Sequence, residues 1–279
     1  MDGRLRNRAR RLGHVGGAIL AHPLFNQVLL VAYVVAGIFL VIALARLTGL
    51  IGDQLWLLLQ APLSIGAGNT IVFSVSVIVV GVFIGFCLGW ARVSRHPLVS
   101  WPATVYVDLM RGVPPLVLII LTYFLVPMLL QLDDPNAGLT FAVVAIGMHS
   151  GAYQAEIFRA GFQSIPRTQV EAAEALGLTR GQSMRHVILP QTFRVTLPAL
   201  GNEFATVVKD TSLLAALSAQ DLTYWGRNNA QSAIGHLDWI LGIWIVIALL
   251  YFVLTYVITH AVGAIEESYR VPGLGTVNL

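Results

Sequence analysis

Charged residues are scarce in this chain, and their scarcity excludes most classes of soluble protein. Only 11% of the 279 residues are charged, whereas 56% are hydrophobic. Soluble domains carry roughly a quarter charged residues. The composition therefore predicts an all-α integral membrane protein that crosses the bilayer several times. The net charge of +3 comes from arginines spaced between apolar runs rather than from one basic patch, which favours membrane topology over nucleic-acid binding.

Several chemical motifs are also absent. Cys87 is the only cysteine, so no disulfide can form within the chain. The sequence lacks a Walker A motif, G-x-x-x-x-G-K-[ST], and its single lysine is Lys209, so the chain cannot hydrolyse ATP alone. His149 and His260 lie in apolar runs without metal-ligand spacing, and no nucleophile, base and orienting group can be assembled. We therefore expect no catalytic residue, no metal ligand and no cofactor bound by this chain.

Long apolar runs predict about six transmembrane helices. The first run has about 18 residues and follows an arginine-rich segment, an order that imitates a signal peptide with a nominal cleavage site at Ala43-Leu44-Ala45. The run is long enough to span a hydrocarbon core of about 30 Å, so we expect it to remain as a helix. The predicted spans are Val28–Ala45, Thr70–Ala91, Val113–Leu130, Leu139–Phe158, Thr196–Ala219 and Trp239–Val262.

The arginines predict the orientation. If the N-terminus is cytoplasmic, nearly all arginines fall in cytoplasmic segments, and only Arg46 and Arg227 lie outside. This asymmetry follows the positive-inside rule, places both termini in the cytoplasm and makes 46–69, 131–138 and 221–238 the outer segments.

A polar island, Glu171–Pro190, interrupts the apolar sequence between the fourth and fifth spans. Its sequence, EAAEALGLTRGQSMRHVILP, predicts a short helix that Gly177 stops in a left-handed conformation. Thr179 and Gln182 then form a capping box that starts a second helix, which we expect Pro190 to end. Such a soluble helix–turn–helix is suited to docking, and an ordinary amphipathic loop on the bilayer surface is the alternative.

This island resembles the EAA loop of permease subunits in ATP-binding-cassette importers. The loop has the pattern E-A-A, three residues, G, nine residues, I, one residue, L-P, and this chain has valine at the isoleucine position. The resemblance implies a coupling helix that sits in a groove of a cytoplasmic ATPase subunit. The matching ATPase-coupling residues are Glu171, Ala172, Ala173, Gly177, Leu189 and Pro190.

Three further segments resemble the polar amino acid (His/Gln/Glu/Arg-type) permease family. They are YVDLMRGVP at 106–114, AYQAEIFRAG at 152–161 and KDTSL at 209–213, with Asp108, Val113 and Ala160 departing from the family pattern. The resemblance implies the type I ABC importer permease fold, a five-helix core plus an extra N-terminal helix. It divides the chain into an N-terminal part, 1–69, and a permease domain, 70–279, with a coupling loop at 164–190.

The same resemblance implies the partners and the location. Such permeases pair with a second, identical or homologous permease, with cytoplasmic ABC ATPase subunits that hold ATP and Mg, and with an external solute-binding protein. The location would be a prokaryotic inner membrane, and the cargo a small-molecule substrate, a polar amino acid. The alternative function is a self-sufficient secondary transporter or channel for small polar solutes, although no clear internal repeat supports it.

Charged and polar side chains inside the predicted fifth span mark a candidate substrate pathway. A charge at the bilayer centre costs roughly 2.5 to 3.5 kcal/mol, so it should face a partner or a water-filled cavity. Helical spacing puts Asn202, Thr206 and Lys209 on one polar stripe. A zwitterionic amino acid needs both donors and acceptors, whereas the alternative is internal pairing that fixes packing. The candidate residues are Asn202, Glu203, Thr206, Lys209, Asp210 and Glu156.

Overall fold

The computed structural model describes residues 52–268. The predicted first span Val28–Ala45, the N-terminal arginines, Arg46 and Arg270 lie outside the described residues. Every regular element between residues 52 and 268 is helical. The α-helices are α1 Asp53–Ala61, α2 Ala67–Arg92, α3 Pro97–Gly112, α4 Pro115–Leu130, α5 Ala137–Gln163, α6 Arg167–Ala175, α7 Arg180–Ser183, α8 Leu189–Asp210, α9 Leu222–Ser232 and α10 Leu237–Ser268.

The first described helix begins earlier than the sequence predicts. A π-helical turn, Pro62–Gly66, joins α1 to α2 without a break, and Trp56–Arg92 forms one apolar helix of 37 residues. Most of the predicted outer segment 46–69 that the structure describes is therefore helical. Pro62 has no N–H to donate to the Leu58 carbonyl four residues before it, and the side-chain amide of Asn229 donates to that carbonyl instead.

By length and apolar composition, fewer helices of the described chain qualify as membrane spans than the sequence predicts. α10, with 32 residues, qualifies alone beside Trp56–Arg92, and α3 with α4 qualifies as a pair bent by 103°. The bend lies at Gly112–Pro114, where proline restricts the backbone. α5 and α8, with 27 and 22 residues, are long enough to span but contain more polar residues.

α5 is the central helix of the described fold. It packs against α2, α4 and α8 around a core that includes Val77, Ile119, Ile146 and Val207. Its contact with α2 is very close, because Gly81, Gly85 and Gly89 form a small-residue face. The backbones can approach there to a distance that any larger side chain would prevent.

The segment between α8 and α10 folds back on the start of the described chain. A 3₁₀ helix, Thr211–Leu217, continues α8, and Asp221 then caps α9 by accepting the backbone N–H of Tyr224 at 2.7 Å. The Leu222 N–H donates to Thr70 Oγ1 in α2 at 3.1 Å. Most of the predicted outer segment 221–238 is thus helical, and the start of α9 is tied to α2.

Candidate functional site

The coupling segment, defined as residues 164–190, begins with α6 and a turn that closes it. The Gly177 N–H donates to the Glu174 carbonyl at 2.9 Å, and the Leu178 N–H donates to the Ala173 carbonyl at 3.1 Å. These two bonds form a Schellman motif around Gly177, whose φ is +78°. The prediction that Gly177 ends the first helix in a left-handed conformation is confirmed.

The second helix of the coupling segment starts at the predicted capping box. The Gln182 N–H donates to Thr179 Oγ1 at 3.3 Å, and the Thr179 N–H donates to Gln182 Oε1 at 2.8 Å. The prediction that Pro190 ends this helix is wrong. α7 passes through a π-helical turn, Met184–Ile188, directly into α8, and Pro190 lies in the first turn of α8. Pro190 has no N–H to donate to the preceding turn, and the π-helical turn lies directly before α8.

Most of the coupling segment is exposed. Glu171, Ala172, Gly177 and Pro190 lie at the surface, and Leu189 is half-buried. Ala173 is the buried member of the predicted set, at 3% exposure. Its small side chain packs inward, while the rest of the motif forms a surface with open space around the glycine at its tip.

The predicted polar stripe of α8 divides into two faces. Successive residues on a helix are about 100° apart, so Asn202, Thr206 and Lys209 share one face, while Glu203 and Asp210 share the next. Lys209 is exposed, and no ion pair forms between it and another residue of the described range. The positive and negative groups of α8 therefore point in different directions.

Lys209 lines an open cavity of about 290 Å³ between α8, α9 and α10. Ser212, Thr223 and Tyr251 add hydroxyl groups to its wall, and the remaining lining residues are Trp244, Ile247 and Ala248. Tyr251 donates to Asp221 Oδ2 at 3.1 Å and lies 2.9 Å from Thr223 Oγ1. This cavity is not visible in the sequence, because its walls come from distant segments.

Glu156 lies away from the other candidate residues. Its carboxylate forms ion pairs with Arg92 at the end of α2 and with Arg159 one turn along α5. The internal pairing that the sequence left open is thus present for Glu156, with arginines rather than with Lys209. The sequence could not predict the pairing with Arg92, which is 64 positions away. The pairing with Arg159 was predictable, because residues at i and i+3 are neighbours on a helix.

Glu203 instead contacts α5 through a serine. Ser150 Oγ donates to Glu203 Oε1 at 2.7 Å and accepts from Gln154 Nε2 at 3.1 Å. Ser150 and Gln154 are buried, with exposures of 3% and 0%. Their i,i+4 spacing is visible in the sequence, but their contact with Glu203 of α8 is not.

Comparison with known families decides which kind of membrane protein this is. Residues 77–271 match the family described as the inner membrane component of binding-protein-dependent transport systems. This match covers more than half of the chain. The chain belongs to this family. As a membrane transport component it is not an ATPase, and the recognition based on the EAA motif is confirmed.

Several relatives of this transport component are similar over most of their length. The glutamine transport system permease protein GlnP of Escherichia coli K12 is 36% identical over 74% of this chain and 92% of that protein. The probable glutamine ABC transporter permease protein GlnM of Bacillus subtilis is 33% identical over 72% and 90%. The L-cystine transport system permease protein TcyB of the same species is 33% identical over 74% and 85%.

Solved structures show the same fold. An amino acid ABC transporter crystallised with histidines matches with a TM-score of 0.65 and 31% identity, covering 75% of this chain and 94% of that one. The inward-facing methionine transporter MetNI matches with a TM-score of 0.65 and 20% identity, covering 79% and 99%. The expected permease fold of type I ABC importers is thus confirmed.

Proposed function

We propose that this chain is the pore-forming permease subunit of an ATP-driven importer for polar amino acids, which an external solute-binding protein delivers. The observation that carries the proposal is the exposed coupling segment with its six motif residues, in a chain whose relatives are named as glutamine and cystine permeases. ATP and Mg would be held by partner ATPase subunits, and a second permease subunit would complete the pore.

The continuity of α7 with α8 supports a direct mechanical route from the ATPase to the pathway. Met184 and Leu189, at the ends of the π-helical turn, both have right-handed helical backbone angles, so no flexible loop separates the two helices. A displacement of α7 by a docked ATPase would therefore be passed on to α8. α8 contains Glu203, Lys209 and Asp210, and its movement would expose them alternately to the two sides of the membrane.

The proposed substrate pathway includes both polar faces of α8. Lys209 and Asp210 form no ion pair within residues 52–268, and Glu203 is bonded there only to the Ser150 hydroxyl. Charges that lack a counter-ion remain available for a zwitterionic ligand, whose ammonium needs acceptors and whose carboxylate needs donors. Glu156, which two arginines neutralise, has a structural role in this proposal.

The Lys209→Met variant tests the pathway assignment. Methionine keeps the length and apolar bulk of the side chain but removes its charge. Because Lys209 has no described ion-pair partner, we expect a complex that assembles and binds its ATPase normally but takes up amino acids poorly. Complex yield, thermal stability and uptake of radiolabelled L-glutamine and L-cystine would be measured together. Poor assembly that is rescued by Asp210→Asn would show instead that Lys209 is a structural counter-ion.

Orientation can be tested by labelling single cysteines in a Cys87→Ala background. Asp133 and Asn228 are exposed and should react with a membrane-impermeant maleimide from outside, whereas Arg180 should react only from the cytoplasm. Gly138 and Asn229, in the same two outer segments, are less suitable for labelling because both are buried. External labelling at Arg180 would contradict the cytoplasmic coupling segment and, with it, the proposed contact to an ATPase.

The rival function, a self-sufficient secondary transporter, gives a different result in proteoliposomes. The proposed importer takes up substrate only with its ATPase, ATP and binding protein present. Uptake by the purified permease alone, driven by a proton or sodium gradient, would contradict the proposal.

A further inference from the structure

Three polar side chains connect the close α2–α5 contact to the candidate pathway. Gln154 lies in the α2–α5 contact, Ser150 lies one turn before it on α5, and Glu203 faces them from α8. The two hydrogen bonds, of 3.1 Å and 2.7 Å, run in one direction. The amide donates to the hydroxyl, and the hydroxyl donates to the carboxylate.

The directions of these bonds leave little freedom to the serine. A hydroxyl has one proton to donate, and here Glu203 Oε1 accepts it. The Gln154 amide occupies the acceptor side of the same oxygen. The amide bond favours the hydroxyl orientation in which the proton points to the carboxylate of Glu203. This arrangement orients one of the unpaired charges of α8.

The α2 helix is shaped around Gln154. A Cβ on Gly81 would lie 2.5 Å from Gln154 Nε2, and a Cβ on Gly85 would lie 2.5 Å from Gln154 Cβ. Close packing alone would be served as well by an apolar side chain of the same length. A polar side chain at a fully buried position therefore needs a further reason.

Gln154 is also a poor choice for stability. Its Oε1 atom is buried and has no hydrogen-bond partner among the described residues. An unsatisfied buried acceptor is destabilising, and an apolar side chain at this position would remove that cost. The benefit of the glutamine must then lie in what its Nε2 group does, which is to donate to Ser150.

We propose that Ser150 and Gln154 are positioning residues for transport: they hold the Glu203 carboxylate in the orientation that receives the cationic group of the substrate. This inference rests on the proposed function, because it requires Glu203 to line the pathway. Ser150 and Gln154 act on the substrate only through Glu203. Removing either residue should weaken substrate recognition and leave assembly intact.

The test uses the full-length permease in proteoliposomes with its ATPase and solute-binding protein. Uptake of radiolabelled L-glutamine, L-glutamate, L-cystine and L-histidine by the unmodified complex first identifies a transported probe. Half-saturating concentration and maximal rate for this probe are then measured for Ser150→Ala, Gln154→Met, Glu203→Gln and the Ser150→Ala/Glu203→Gln double variant. Ser76→Ala is the matched control, because the Ser76 hydroxyl donates only to the Val72 carbonyl of its own helix at 2.8 Å.

We expect Ser150→Ala to raise the half-saturating concentration at least about tenfold, the size expected when a hydrogen bond to a charged group is lost. Gln154→Met should raise it by less, because its bond is to the neutral Ser150 hydroxyl. The melting temperature should fall modestly in Ser150→Ala, because the Glu203 carboxylate loses its donor, and should stay unchanged or rise in Gln154→Met. The double variant should be no worse than Glu203→Gln alone, because the serine acts through the carboxylate. Ser76→Ala should transport normally.

The outcomes separate this inference from the function on which it rests. If no probe is transported, or if Glu203→Gln transports normally, the proposed pathway is wrong and the inference fails with it. If Glu203→Gln is impaired but Ser150→Ala and Gln154→Met keep the original half-saturating concentration, only the inference is overturned. Loss of assembly in both of these variants, or additive defects in the double variant, would assign a structural role to the pair and also overturn it.

Discussion

The α2–α5 contact and the coupling segment both depend on glycine, for opposite reasons. Gly85 has an ordinary helical backbone, but a Cβ there would lie 2.5 Å from Gln154 Cβ and 3.1 Å from the Gly151 carbonyl. A Cβ on Gly177 would have no neighbour within 4 Å, but the φ of +78° at this position disfavours any other residue. One glycine is required by its neighbours, and the other by its own backbone.

This difference separates a structural region from a region available to a partner. The α2–α5 contact is close-packed, so it resists any change in volume. The turn between α6 and α7 is held by local hydrogen bonds, the Schellman motif and the capping box, and its surface remains exposed, while Met184, Ile188 and Leu189 pack the end of the coupling segment against the core. A segment shaped in this way can bind a partner without first losing contacts to the rest of the chain.

The largest effect should come from adding a side chain to the α2–α5 contact. Gly85→Val places a branched side chain against the Gln154 Cβ and the α5 backbone, so the helices must separate. Overpacking typically costs about 1–3 kcal/mol, and a clash with backbone belongs at the upper end. We expect a strong loss of complex yield and melting temperature. Gly68→Val is the matched control on the same helix, because nothing lies within 4 Å of a Cβ there.

The next effect should come from the ion pair that ties the C-terminal end of α2 to α5. Arg92→Met strands Glu156 beside one remaining arginine, and the Arg92 side chain is only 11% exposed. A hydrogen bond to a charged group contributes about 1.5–3 kcal/mol. Arg159→Met should have a smaller effect, because Arg159 is 28% exposed and lies on the same helix as Glu156. Equal losses of melting temperature in the two variants would contradict the role of Arg92 as a link between helices.

Gly177→Val should affect the coupling segment without affecting insertion. A β-branched residue at positive φ costs about 1–3 kcal/mol, which deforms the turn between α6 and α7. We expect normal membrane insertion and yield but a loss of substrate-stimulated ATPase activity in the assembled complex. Gly181→Val, at an exposed helical position with open space around it, should keep this activity. Normal coupling in Gly177→Val would show that the left-handed turn is dispensable.

The smallest effect should follow the loss of the capping box. Thr179→Ala removes the acceptor of the Gln182 N–H, and caps of this kind contribute about 1 kcal/mol. Limited proteolysis of the 176–184 region should become faster, with a modest decrease in ATPase coupling. Thr179→Ser, which keeps the hydroxyl, should behave as the unmodified chain, and if it were cleaved as fast as Thr179→Ala, the cap would not be the cause.

Membrane class, permease family and the local shape of the coupling segment could all be predicted from the sequence. Composition indicates the first, and motif spacing indicates the second. The third follows because the Schellman motif and the capping box join residues no more than five positions apart, so their partners are visible along the chain. The helical conformation around Pro190 could not be predicted in this way, because a proline can stand at the end or at the beginning of a helix.

Which polar groups meet depends on how the helices pack. The sequence places Glu203, Lys209 and Asp210 in one helix, but the packing of α8 against α5 turns Glu203 toward Ser150 and leaves Lys209 at a cavity with Tyr251. Glu156 pairs with Arg92 because the α2 glycines bring two helix backbones together. Helical periodicity gives the face of the helix on which a side chain lies. The partner of that side chain depends on which other helix packs against this face. That packing is determined by contacts between residues far apart in the chain, which the sequence pattern does not show.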